Sequence, residues 1–148
     1  MSTVVKISQF TAIRLENARQ RGMSEEALLQ AIRAEDTAAF DAVADEDLSY
    51  TDLFTYAKEH GEELETAVTE GYRITFNTRG GLGIWISKRF GLQPEVDFTV
   101  GEGVISGLLL SKKQAEVLEQ RLAANWVVTD TNEADKGVEL TLKLRALA

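Results

Sequence analysis

A chain of 148 residues that is 44% hydrophobic and 27% charged has the composition of a folded domain with its own core, which excludes intrinsic disorder. Its 16 Lys+Arg against 24 Asp+Glu give a formal net charge of −8, and an acidic surface repels phosphate backbones, so bulk nucleic-acid binding is disfavoured. The absence of cysteine removes disulfides, thiolate metal centres and cysteine nucleophiles together.

No stretch reaches the ~18 to 20 continuous apolar residues of a membrane span. The opening MSTVVKISQF has no sustained apolar run with a small-residue cleavage site, so a signal peptide is not read there. The expectation is a soluble cytoplasmic protein without membrane contact. Charge is unevenly spread. Residues 1–70 carry 6 Lys+Arg against 15 Asp+Glu, and residues 71–148 carry 10 against 9, which marks Gly71 as a compositional boundary.

Thr3 to Ile7 is β-branched and reads as a short strand or an extended lead-in. From Ser8 the period turns helical, with Phe10, Ile13 and Asn17 on one face and Gly22 as the stop. Ser24 followed by Glu25 and Glu26 is an N-cap with charge matched to the helix dipole, and Ala27, Leu28, Ala31 and Ile32 form the apolar stripe of that second helix. Thr37 to Val43 reads as a further short helix. A longer one is predicted from Ser49 or Thr51 to about Val68, with Gly61 inside it and Gly71 at its end. Three short helices invite comparison with a DNA reader. A recognition helix needs Arg, Lys, Asn or Gln at base edges, however, and these helices carry Glu25, Glu26, Glu35, Asp36 and Asp41.

After Gly71, Tyr72, Ile74 and Phe76 alternate with Arg73, Thr75 and Asn77, the period of a half-buried strand. Thr78 to Gly81 is the turn, and Leu82 to Phe90 the helix that Gly91 ends. Val96–Val100 and Val104–Leu110 form a hairpin across Gly101-Glu102-Gly103. Ser111 caps a helix with Ala115, Leu118 and Leu122 on its inner side, running to about Ala124. Trp126 to Thr129 is a short strand, Asp130 to Gly137 a polar loop, and Val138 to Leu144 an alternating strand with one buried face. The expected fold is α+β: an acidic helical part, residues 1–70, then a ferredoxin-like βαββαβ domain, residues 71–148, with one extra C-terminal strand.

The candidate site with most chemistry is Asn77-Thr78-Arg79-Gly80-Gly81. N–H groups at a helix start bind carboxylate or phosphate, glycine permits close approach, and Arg79 adds a charge-assisted contact. Neither GxxxxGK[ST] nor GxGxxG follows this strand. The opposing reading is a tight strand-to-helix turn in which the glycines take positive φ. In element order and in its glycine after the first strand this region resembles the ligand-sensing ACT domains, although Gly80-Gly81 stands where those domains carry a proline-glycine pair. The resemblance implies a small-ligand module and reaches no further than that order and that turn.

Other groups carry less. Arg79, Trp85, Lys88, Arg89 and Phe90 mix charge and rings as nucleic-acid surfaces do, but Trp85 and Phe90 also fit a buried helix face. His60, the single histidine, sits among Glu59, Glu62 and Glu63 as on a solvated helix face, so neither a metal nor a cofactor is expected. Asp97 and Glu102 could approach each other across the hairpin as a carboxylate pair for acid-base work, although turn chemistry and solubility explain them as well. Trp126 reads as a core anchor. The leading expectation is a non-enzymatic cytosolic regulatory or protein-interaction module, with a protein partner or self-association as a dimer. The alternatives are a small-anion sensor at Asn77–Gly81 and an enzyme using carboxylate acid/base chemistry.

Overall fold

The structure is a computed structural model and describes residues 4–148. Thr3, the expected first residue of the opening strand, lies outside the described residues. The chain is a mixed α+β fold. It begins with β1 (Val5–Ile7) and α1 (Gln9–Gln20), whose N-cap Ser8 accepts the Thr11 N–H at 3.2 Å. Ser24 caps α2 (Glu25–Ala34) in the same way, and α3 (Thr37–Asp41) starts behind Asp36.

The long helix expected up to Val68 is two helices, α4 (Leu53–Glu59) and α5 (Leu64–Glu70). The cause is Gly61, which takes φ +63°. Its N–H bonds to the Lys58 carbonyl at 3.4 Å, and the Glu62 N–H bonds to that of Ala57 at 2.8 Å, the paired bonds of a Schellman stop. The break also turns Glu62 back onto α1, where its carboxylate accepts from the Ser8 N–H at 2.5 Å and from the Thr11 hydroxyl.

Beyond Gly71 come β2 (Tyr72–Ile74), α6 (Arg79–Phe90), β3 (Thr99–Gly101), β4 (Val104–Leu110), α7 (Lys112–Arg121), β5 (Trp126–Ala134) and β6 (Gly137–Leu144). The strands fall into two sheets. β2 pairs in parallel with β1, in the register Val5–Tyr72, Lys6–Arg73 and Ile7–Ile74. The other four are antiparallel in the order β3-β4-β6-β5. A ferredoxin-like sheet would have taken β2 into this second sheet. Instead the first strand after Gly71 is claimed by the first strand of the chain. Residues on both sides of Gly71 contribute to one hydrophobic cluster, from Ile7, Leu15, Leu28 and Phe40 to Trp85, Leu108, Trp126 and Leu142, and α1 lies along α6.

Two further boundaries differ from expectation. β5 runs on to Ala134, because the polar run Asp130–Ala134 pairs with β6 across the tight turn Asp135-Lys136 while staying exposed. A ribbon wet on both sides lacks the alternation that marks a half-buried strand. β6 is an inner strand, bonded to β4 on one side and β5 on the other. At the other end of the sheet Val96 is 75% exposed and the strand begins only at Thr99, because the chain turns through Glu95 at φ +66°.

Candidate functional site

Where the expected turn site stands, β2 ends and the alternation of Tyr72, Ile74 and Phe76 breaks. Phe76 is 59% exposed, whereas its neighbour Asn77 is 1% exposed. Every polar group of Asn77 is engaged. Its Nδ2 donates to Gln9 Oε1 at 2.8 Å and its Oδ1 accepts the Ala123 N–H at 2.9 Å. Its N–H donates to Asn125 Oδ1 at 3.1 Å, and its carbonyl accepts from Asn125 Nδ2 at 2.7 Å and Trp126 Nε1 at 3.0 Å. Asn77 therefore ties α1, the end of α7 and the start of β5 together.

Thr78 is the N-cap of α6, accepting the Gly81 N–H at 3.0 Å, and its own N–H goes to Gln9 Oε1 at 3.1 Å. Neither Gly80 nor Gly81 has the positive φ that the turn reading required. Gly81 is small for a different reason: a Cβ there would overlap the Gln9 side-chain amide. Gln9 thus lies over the helix start where an anion would approach. Arg79 is exposed beside it.

The other sequence candidates are dispersed. Trp85 is buried and Phe90 meets it edge-on at 5.7 Å, while Lys88 is drawn to Asp45 at 2.5 Å and Asp47 at 3.3 Å. His60 stacks on Tyr56 at 4.0 Å and faces the Tyr56 carbonyl through Nδ1. Asp97 accepts the Gln93 N–H at 2.8 Å. Trp126 is the core anchor its position suggested. Among the described residues no group of His, Cys, Asp and Glu could hold a metal ion, and no helix is long and apolar enough to cross a membrane.

A different constellation gathers at the junction of α1, the α5–β2 link, α6 and α7. Its centre is Glu16, 3% exposed on α1. Tyr72 donates its phenol to Glu16 Oε2 at 2.6 Å, and Trp85 Nε1 donates to the Tyr72 oxygen at 2.9 Å, a relay of two buried rings ending on a carboxylate. Burial, then the Glu16 charge, pushes the Tyr72 phenol well above its usual range, so it stays protonated and donating.

Two arginines approach that carboxylate, and a third lines the same cavity. Arg19 Nε lies 3.5 Å and Arg89 Nε 3.7 Å from Glu16 Oε1, within ion-pair reach yet too long for hydrogen bonds. Glu16 Oε1 and Arg19 Nε are consequently buried without a hydrogen-bond partner. Arg19 Nη2 is steadied by the Val68 carbonyl at 3.1 Å. Arg121 comes from α7 and places its guanidinium 5.1 Å from the Tyr72 ring centroid. Gly71, at φ +88°, leaves the room, for a Cβ there would stand 2.6 Å from Arg121 Nη2. Burial lowers the Arg121 pKa. Tyr72 and Glu16 oppose that shift, and Arg89 and Arg19 add to it, while guanidinium basicity keeps the charge in place.

Together these groups line a partly open cavity of ≈ 190 Å³, and Glu16, Arg19 and Arg89 also border a second of ≈ 280 Å³ beside Phe90. Little in the residue pattern announces this convergence, which joins positions 16, 19, 72, 89 and 121. One signal was present: α1 has no clean polar face, and Glu16 and Asn17 lie between residues that the helix buries. No family model, curated protein or solved structure matches this chain.

Proposed function

We propose that the protein is a non-enzymatic regulatory module that binds a small anion in the arginine-lined cavity at Glu16, rather than at the Asn77–Gly81 turn. The observation that supports this is a cavity lined by three arginines and one buried carboxylate, with Arg19 and Arg89 at ion-pair distance from it, in a chain whose overall charge is −8. Such a positive recess attracts an anion and repels cations. The turn has the weaker claim because its capping positions are filled by Thr78 and Gln9. The lining also favours binding over turnover. Its two hydroxyls are already committed, Thr69 to the Glu65 carbonyl and Tyr72 to Glu16.

Binding to the folded state alone stabilises it by about 2.7 kcal/mol at a hundredfold excess over Kd. For a domain of this size that raises Tm by about 5–10 °C. Thermal unfolding against a panel of small anions is expected to show such a rise with at least one of them, abolished in Arg121→Ala and retained in Arg79→Ala. A panel without any stabilising anion would falsify the reading.

Docking of a protein partner is a second reading, supported by the open outer edge of β5, since β5 ends the order β3-β4-β6-β5 and Asp130–Ala134 is exposed. A second copy of the chain is the simplest occupant of such an edge. Light scattering over a range of concentrations is expected to give a mass above 16.3 kDa; a constant 16.3 kDa removes self-association.

A further inference from the structure

We infer, building on the anion-pocket reading, that the ligand is a tetrahedral dianion that still carries a proton to donate, with hydrogen phosphate as its simplest form. Three features of the cavity lead to this class.

The first is charge. Arg19, Arg89 and Arg121 line the cavity with a single buried carboxylate, Glu16, so the lining carries three positive charges against one buried negative charge. Glu70 stands on the exposed rim, where water screens it. A dianion neutralises the excess and a monoanion leaves half of it.

The second is geometry. The guanidinium groups arrive from three elements, α1, α6 and α7. A planar carboxylate is satisfied by one fork of donors. A tetrahedral group, with oxygens pointing in several directions, meets donors coming from several sides. The forks have capacity to spare, since Arg19 and Arg89 approach Glu16 only at ion-pair distance.

The third is Glu16 itself. Its Oε2 is taken by Tyr72, but Oε1 is buried with no donor. A buried acceptor of this kind is costly unless a donor reaches it. A ligand O–H supplies that donor, whereas a fully ionised oxyanion brings its own lone pairs against those of Glu16. The carboxylate therefore selects hydrogen phosphate over sulfate, two ions of the same shape and charge at neutral pH.

The test is calorimetric titration of the full chain with inorganic phosphate, sulfate, succinate and phenyl phosphate, in wild type, Glu16→Gln and Arg121→Lys. Phosphate is expected to bind at least about tenfold more tightly than sulfate or succinate, a difference of about 1.4 kcal/mol. Glu16→Gln, which offers an amide donor, is expected to narrow the phosphate–sulfate gap. Arg121→Lys, which keeps the charge and loses the fork, is expected to weaken phosphate about tenfold. Phenyl phosphate, a monoester whose dianion has no O–H left to donate, is expected to bind more weakly than phosphate; binding as tight as phosphate overturns the need for a donated proton. Sulfate or succinate equal to phosphate overturns the proposed class and leaves the anion pocket standing. Failure of every anion, with the variants folded by circular dichroism, overturns the pocket as well.

Discussion

Glu16→Ala is expected to cost about 3 kcal/mol of unfolding free energy, at the lower end of what breaking a buried ion pair costs. The loss has two parts. Arg19, Arg89 and Arg121 are left facing one another without their shared counter-charge, and the Tyr72 phenol loses its acceptor at 2.6 Å. Arg19 and Arg89 moderate the first part, because their side chains are 35% exposed and can turn toward water. Urea denaturation gives the number. Added phosphate is expected to recover part of it, since a soluble anion can stand where the carboxylate stood, and to recover more in Glu16→Ala than in Glu16→Gln. Glu16→Ala within about 0.5 kcal/mol of wild type, a value typical of surface substitutions, would mean that the arginines repel one another little and that the cavity holds no excess charge.

Glu16 also shows why the site was less legible than the frame around it. Local chemistry announced the helix ends. Ser24 and Ser111 cap where their sequence neighbours suggested, the second with the reciprocal Gln114 bond, Ser8 caps the helix whose period starts there, and Gly91 closes α6 in the left-handed region. These features depend on residues within four positions of one another. Gly61 depends on equally local bonds, yet an apolar pattern continuing on both sides of it concealed the stop. Strand partnership is not local. Tyr72–Ile74 has a clear alternation, but nothing in it says that residues 5–7, across an intervening run of five described helices, are its neighbours. The arginine cavity is harder still. Each of its charged residues has an ordinary surface reading when taken alone: Arg19 and Arg89 as cations in the last turn of their helices, and Arg121 likewise on α7. Only the packing of α1 on α6, with α7 against β2, turns three routine helix ends into one site.

Asn77 is the opposite case, a residue the sequence singled out that the structure uses for another purpose. Asn77→Ala is expected to cost about 2–4 kcal/mol. The substitution removes the bonds to Gln9 and Ala123 and leaves the Ala123 N–H buried without a partner, a loss of about 1–3 kcal/mol for that group alone. The bonds made by the Asn77 backbone to Asn125 and Trp126 are not deleted, but they lose the side chain that fixes their geometry. Thr78→Ala, which removes the cap on Gly81 N–H, is expected to cost about 1 kcal/mol. The same pair of variants separates the two places where an anion has been argued to sit. If the turn were the binding site, Thr78→Ala would free the Gly81 N–H and increase anion stabilisation at little expense to the fold. With the site at Glu16, Thr78→Ala keeps its full response to anion and Asn77→Ala keeps it wherever the protein remains folded, because neither residue lines the arginine cavity. A Thr78→Ala variant that is stable and responds more strongly to anion than wild type would return the site to the start of α6 and leave the three arginines as a structural cluster.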